Sequence, residues 1–257
     1  MATAEVTRAS AQGQASLYDA AFFDSIDDGS LASARAIVPL VRELVPCQTV
    51  VDVGCGRGAW LRGFQEQGAA TILGYDGDYV DRSRLLIPSE CFRPTDIAQP
   101  FSIEGRFDLA VCLEVGEHLP HSRAAGLVRT LTEAAPAVLF SAALPGQGGT
   151  HHVNEQWPRF WQKHFARYDF VRLDPIRRQV WRHPAVKWWY QQNVFLFVDR
   201  ATIDRHPNLL PEQPADDLCL HLVQERVLNQ YGSVRGLFKQ LVKAVGRAAA
   251  RVVTGRS

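Results

Sequence analysis

Cysteine is scarce and scattered. Cys47, Cys55, Cys91, Cys112 and Cys219 are odd in number and never fall in Cys-x-x-Cys spacing. That argues against a disulfide framework and a thiolate zinc site, and it fits thiols kept reduced in a cytoplasm. Long apolar runs are missing as well. Residues 1–16 are small and polar with no apolar core, so neither a signal peptide nor a membrane span is expected there. Excess charge is also lacking, since 28 Lys and Arg against 27 Asp and Glu leave +1, and a nucleic-acid partner is therefore not expected. No internal repeat is visible. What remains is ordinary for a globular chain: 257 residues, 46% hydrophobic and 21% charged, enough to bury one substantial core.

The most informative stretch is Val50-Val51-Asp52-Val53-Gly54-Cys55-Gly56-Arg57-Gly58. A β-branched run broken by one acid reads as a strand buried on both faces of a parallel sheet. Alternating glycines then remove side chains from the strand-to-helix turn and permit positive φ. Residues 57–67 follow with helical periodicity, and Gly68 is placed to end that helix. The helix N-terminus directs its N–H groups at whatever the loop holds. The spacing is Gly-x-Gly-x-Gly, which differs from the dinucleotide-binding fingerprint.

Upstream, residues 17–26 read as a short amphipathic helix. Residues 30–45 read as a longer one with Ser30 as N-cap, and Pro39 predicts a kink or two pieces. Downstream, residues 71–76 form a second strand ending in Asp76, an acid placed to accept hydrogen bonds from both hydroxyls of a ribose. Residues 91–94 make a weak third strand before Thr95-Asp96-Ile97, where Thr-Asp can also cap a turn. Residues 107–113 and 137–141 are clear strands flanking a helix over 123–135, and 168–173 and 193–198 complete the pattern. The result is an α/β fold, a Rossmann-like, mostly parallel seven-stranded sheet with helices on both faces and the last strand antiparallel.

Two segments carry candidate chemistry. Glu114-Val115-Gly116-Glu117-His118 leaves the fourth strand where ligands of open α/β sheets gather. Residues 144–158 form a glycine-rich loop with His151 and His152, an entropy cost that a mere connector does not need. Asn154 or Glu155 can open the next helix, whose Trp157, Phe160, Trp161, His164 and Phe165 share a face, His164 as a packing residue. Between strands six and seven, Trp181, Trp188, Trp189, Tyr190, Gln191 and Gln192 combine aromatic faces with amides, which suits either a ring-shaped polar acceptor or the core. From Val234 onward, Arg235, Lys239, Lys243, Arg247 and Arg251 fall four apart beside an apolar side, a helix able to lie on an anionic membrane or a protein partner or to dock with a solvated basic face.

The glycine loop with Asp52 resembles the first motif of class I S-adenosylmethionine-dependent methyltransferases. Asp76, Asp96 and the fourth-strand exit follow in that family's order, and the resemblance covers residues 30–200. It implies a helix-bearing N-terminal segment over 1–29 that covers the cofactor pocket, and it leaves 201–257 as a helical extension. It further implies that Asp52, Gly54, Cys55, Gly56 and Gly58 wrap the methionine end of S-adenosylmethionine. Asp76 would take the ribose, Asp96 and Ile97 the adenine, and Leu113 and Glu114 would border the reacting end. Residues 145–158 look like those of small-molecule methyltransferases, some associated with sugar modification. The expected reaction is methyl transfer to a hydroxyl of a small polar metabolite, with His151 or His152 as base, His118 as second choice and Glu117 orienting it. Glu114-x-x-Glu117-His118 also resembles the metal-binding signature of small-RNA 2′-O-methyltransferases, which would add magnesium or manganese with His151 or His152 completing the site. The metal-assisted reaction is not favoured, and no metal ligand is assigned. Transfer to nitrogen or carbon of a small molecule stays open beside it, as does a cofactor-binding scaffold without turnover.

Overall fold

A computed structural model describes residues 20–206 and Leu209 of the protein, with side chains described from residue 29 onward. The expectations for 1–16, for the linker and for the basic C-terminal helix lie outside the described residues. Where two leading helices were expected, one helix, α1 (Ala20–Leu44), runs without a break through Pro39. Proline in a helix interior costs about 3 kcal/mol. Ile37, Val38 and Val41 are fully buried around it, and each contributes roughly 1.5–3 kcal/mol on burial, which outweighs the defect. Ser30 is therefore not an N-cap. It sits inside the helix with its Oγ 3.1 Å from the Tyr190 hydroxyl.

Seven strands follow: β1 (Thr49–Val53), β2 (Thr71–Asp76), β3 (Phe92–Pro94), β4 (Leu109–Leu113), β5 (Ala137–Ser141), β6 (Phe170–Leu173) and β7 (Phe195–Asp199). Their spatial order is β3-β2-β1-β4-β5-β7-β6, and only β7 runs antiparallel to its neighbours. The chain first builds outward from β1 to β3, then crosses back to place β4 on the other side of β1. That reversal opens a crevice at the carboxyl ends of β1 and β4.

Period-two alternation divides the core into two layers. Val50, Leu109, Val111 and Leu139 join the cluster that holds α1 and α2 (Ala59–Glu66). Val51, Val53, Ala110, Val138 and Phe140 join the cluster of α3 (Ala124–Ala134) and α4 (Pro158–Phe165). On that second side Phe165 stacks on Phe197 at 3.9 Å. The remaining short helices are α5 (Arg177–Val180), α6 (Trp188–Asn193) and α7 (Arg200–Arg205). No helix among the described residues is long and apolar enough to cross a membrane.

The α1–α2 contact depends on Gly63, where an added Cβ would lie 2.8 Å from the Ala34 Cβ. Gly63→Val is expected to force the helices apart at about 1–3 kcal/mol. Thermal unfolding should register a fall of several degrees; an unchanged midpoint would show that the layer yields without cost.

Candidate active site

β1 empties into the glycine loop at the crevice. Gly54, Gly56 and Gly58 all have positive φ, at +83°, +54° and +88°. A Cβ on Gly54 would lie 2.2 Å from Val115 Cγ2, and one on Gly58 would lie 2.8 Å from Ile87 Cγ1. Only glycine satisfies both demands. The loop's own N–H groups are largely used internally. Gly54 and Cys55 donate to the Tyr75 carbonyl, Gly58 to the Cys55 carbonyl, and Gly56 to Asp76 Oδ2 at 2.7 Å. The glycines thus let Val115 and Ile87 close on the turn, and Gly58 is the N-cap of α2, whose first residue, Ala59, lies two residues later than the periodicity predicts. The Cys55 side chain packs against Gly74, whose added Cβ would be 2.6 Å from the sulfur, so Cys55 turns its thiol into the sheet.

Asp76, 5% exposed, also accepts from the Gly77 N–H and the Tyr79 hydroxyl, both at 2.6 Å. Burial raises its pKa while these donors pull it down. Asp52, 2% exposed, is raised well above the carboxylate range by burial and then by the charge of Asp76. Asp96 is exposed, and its Oδ1 accepts from the Ala98 N–H at 3.0 Å, the turn-capping role open to it from sequence. Ile97 is buried beside it and its carbonyl accepts from Arg123 Nε at 3.1 Å.

Beyond the buried Leu113, Glu114 adopts φ +56° and its carboxylate accepts from Asn193 Nδ2 at 3.0 Å and Gln147 Nε2 at 3.2 Å. Gln147 Oε1 in turn accepts from Gln192 Nε2 and Asn193 Nδ2. These amides tie β4, the glycine-rich loop and α6 into one network. Burial raises the Glu114 pKa against the pull of Asn193, Ser141 and Gln147. Glu117 and His118 lie on the turn Gly116–His118. Glu117 is fully buried, neither carboxylate oxygen has a hydrogen-bond partner, and burial followed by the charge of Glu114 pushes it well up.

Residues 151–156 form a strap across this turn. The N–H groups of Val153 and Asn154 donate to the Glu117 carbonyl at 2.8 and 3.0 Å, and Asn154 Nδ2 reaches the Gly116 carbonyl at 3.2 Å. The strap sets the His152 ring edge-on to His118 at 5.0 Å. Ligating atoms of Glu117, His118 and His152 all lie within 4.8 Å of one another. Burial, then the neighbouring His152 and His151, lowers the pKa of His118 to about 4. His151 is exposed at φ +57°. His152 Nδ1 lies 3.0 Å from Glu155 Oε1. Burial works against the Glu155 anion, but His152 and the Gly146 and Gly148 N–H groups outweigh it and lower its pKa.

Neither Asn154 nor Glu155 opens α4. Trp157 is its N-cap, with Pro158 in the first turn. In the aromatic insertion Tyr190 is a core residue, edge-on to Trp60 at 5.0 Å, and Gln191 spends its side chain on Arg182, His183 and Val186 backbone. Trp181 and Trp188 remain half-buried. Sequence reasoning missed Gln147 and Asn193, which carry no periodic signal, and it read Glu155 only as a helix opener.

This sheet order, with a glycine loop leaving β1 and an acid ending β2, defines a class I methyltransferase fold. The family model described as "Methyltransferase domain" matches residues 29–193. The chain belongs to that family and is an S-adenosylmethionine-dependent methyltransferase. Among solved structures it is similar to DesVI of Streptomyces venezuelae, at 16% identity over 72% of this chain and 98% of that one, TM-score 0.53. An O-methyltransferase family protein of Burkholderia thailandensis matches at 11% over 71% and 60%, TM-score 0.51. Magnesium protoporphyrin IX methyltransferase of Synechocystis, solved with SAH, matches at 20% over 69% and 87%, TM-score 0.47. No curated protein matches the chain in sequence. The residues present fit that cofactor: a turn of three positive-φ glycines leaves β1 at the crevice, and the buried acid that ends β2, Asp76, holds the Gly56 N–H beside it.

Proposed function

We propose that the protein methylates a hydroxyl of a small polar acceptor, a sugar or a glycosylated product, with His152 as general base. The observation that carries this reading is the carboxylate-oriented His152 held over the β4 exit by the 151–156 strap. Bound S-adenosylmethionine supplies an electrophilic methyl group on a sulfonium. The chain's part is to align the acceptor and take its proton. Gly54, Gly56 and Gly58 shape the cofactor cradle, Asp52 and Asp76 stand at its polar side, and Asp96 and Ile97 flank the adenine. Leu113 and Glu114 border the reacting end. Among the histidines, His151 faces solvent and His118 hydrogen-bonds the His151 backbone, which leaves His152 best placed. Half-buried Trp181 and Trp188 supply apolar faces for a ring-shaped acceptor.

A second reading has its own observation. Glu117, with both oxygens buried and unbonded, clusters with His118 and His152 in a geometry that could hold a divalent cation of the magnesium or manganese type against the acceptor oxygen. One experiment separates the readings: transfer of a labelled methyl group to a panel of sugars and glycosides, run with and without chelator. Turnover indifferent to chelation supports His152 acting alone. Turnover lost on chelation and restored by magnesium or manganese moves the chemistry to the cation. Cofactor binding without turnover on any hydroxylated acceptor overturns both.

A further inference from the structure

Building on the assignment of His152 to the acceptor, we infer that Glu155 is the positioning residue that fixes which nitrogen of that ring acts. The Glu155 carboxylate collects three contacts. The Gly146 N–H donates to Oε2 at 2.7 Å, the Gly148 N–H donates to Oε1 at 2.8 Å, and His152 Nδ1 lies 3.0 Å from Oε1. An ionised carboxylate can only accept, so the contact with His152 requires the proton on Nδ1 and leaves the lone pair on Nε2. The site treats Nε2 differently. Gly149, the next residue after the two pinned positions, has no side chain, and a Cβ there would lie 2.3 Å from Nε2. One nitrogen is thus anchored, and the edge carrying the other packs against the Gly149 backbone, an approach that only a glycine permits.

The same carboxylate holds two N–H groups of the loop that carries Gln147, whose amide contacts Glu114. Loop conformation and ring orientation therefore share a single anchor. If a cation is the acting group, the assignment is unchanged, because a carboxylate on one ring nitrogen directs the other to the metal.

The critical variant is Glu155→Ala. It removes the acceptor on Nδ1, so nothing holds the ring as the Nδ1–H tautomer. Loss of carboxylate support from a histidine–carboxylate pair lowers turnover by orders of magnitude. Expected are a kcat loss of at least about 100-fold, an unchanged affinity for S-adenosylmethionine by calorimetry, and a shift of the His152 ring ¹⁵N resonances away from the Nδ1–H pattern. Gly149→Ala is the second variant. It should lower kcat by crowding the Nε2 edge while leaving the Nδ1–H pattern in place, and it keeps the test alive if Glu155→Ala unfolds. A wild-type His152 found as the Nε2–H tautomer, or full turnover in Glu155→Ala, overturns the inference. Full turnover in His152→Ala would instead overturn the assignment of His152 and leave the tautomer measurement to decide the role of Glu155.

Discussion

Gly56→Val is expected to weaken S-adenosylmethionine binding at least about 100-fold, a loss of roughly 2.7 kcal/mol, in a chain that still folds. Gly56 has φ +54°. A β-branched residue is a genuine outlier in that region, at about 1–3 kcal/mol of strain. The backbone relieves the strain by turning, and the turn removes the 2.7 Å hydrogen bond from the Gly56 N–H to Asp76 Oδ2. Both parts of the proposed cofactor site are then disturbed, the turn after β1 and the acid that ends β2. The hydrophobic layers are not touched, because Gly56 is only half-buried and Val50, Val51, Leu61 and Phe64 beneath it keep their contacts. Calorimetric titration measures the affinity, and thermal unfolding should show a loss of only a few degrees. Gly56→Ala, with a smaller penalty in the same conformation, should fall between the two. An affinity for the cofactor within threefold of the parent in Gly56→Val would falsify the role given to this loop.

The sheet was legible because its signal is local. Val50–Val53, apolar apart from Asp52, and Leu109–Leu113 are runs of strand length bounded by polar residues and glycine, and both are buried as central parallel strands must be. The glycine loop was legible for the same reason, since a turn that needs three positive φ values must be written in glycine. What sequence misplaced depends on contacts across long separations. Ser30 has the chemistry of a helix cap, but its partner is Tyr190, 160 residues away, and packing around Pro39 carries the helix past both. Cys55 shares the loop's sequence with the glycines, yet the close approach of Gly74 turns its sulfur inward. Gln191 has the amide an acceptor pocket would use, but three nearby backbone groups take it. Asn193 and Gln147 have no motif at all. They meet Glu114 only because the β5–β7 pairing brings α6 over the loop.

His152→Ala should lower kcat by about 10²–10⁴-fold, the range over which a positioned general base contributes, while leaving the affinity for S-adenosylmethionine within about threefold. The separation of effects follows from where the residue is held. His152 is attached to the β4 exit through the Glu117 carbonyl and to the loop through Glu155, and none of these contacts involves Gly54, Gly56, Gly58 or Asp76. Removing the imidazole leaves the strap's backbone bonds from Val153 and Asn154 in place, so the fold has little to lose. His151→Ala is the matched control: its ring is exposed one residue away, and turnover should change by less than about threefold, as for an ordinary surface substitution. Single-turnover methyl transfer with saturating cofactor reads the chemical step directly. Equal losses in the two variants would point to disruption of the loop, and a large loss confined to His151→Ala would move the base one residue upstream. A large loss confined to His152→Ala, in enzyme that turns over equally well with and without chelator, leaves proton removal as the function the imidazole performs.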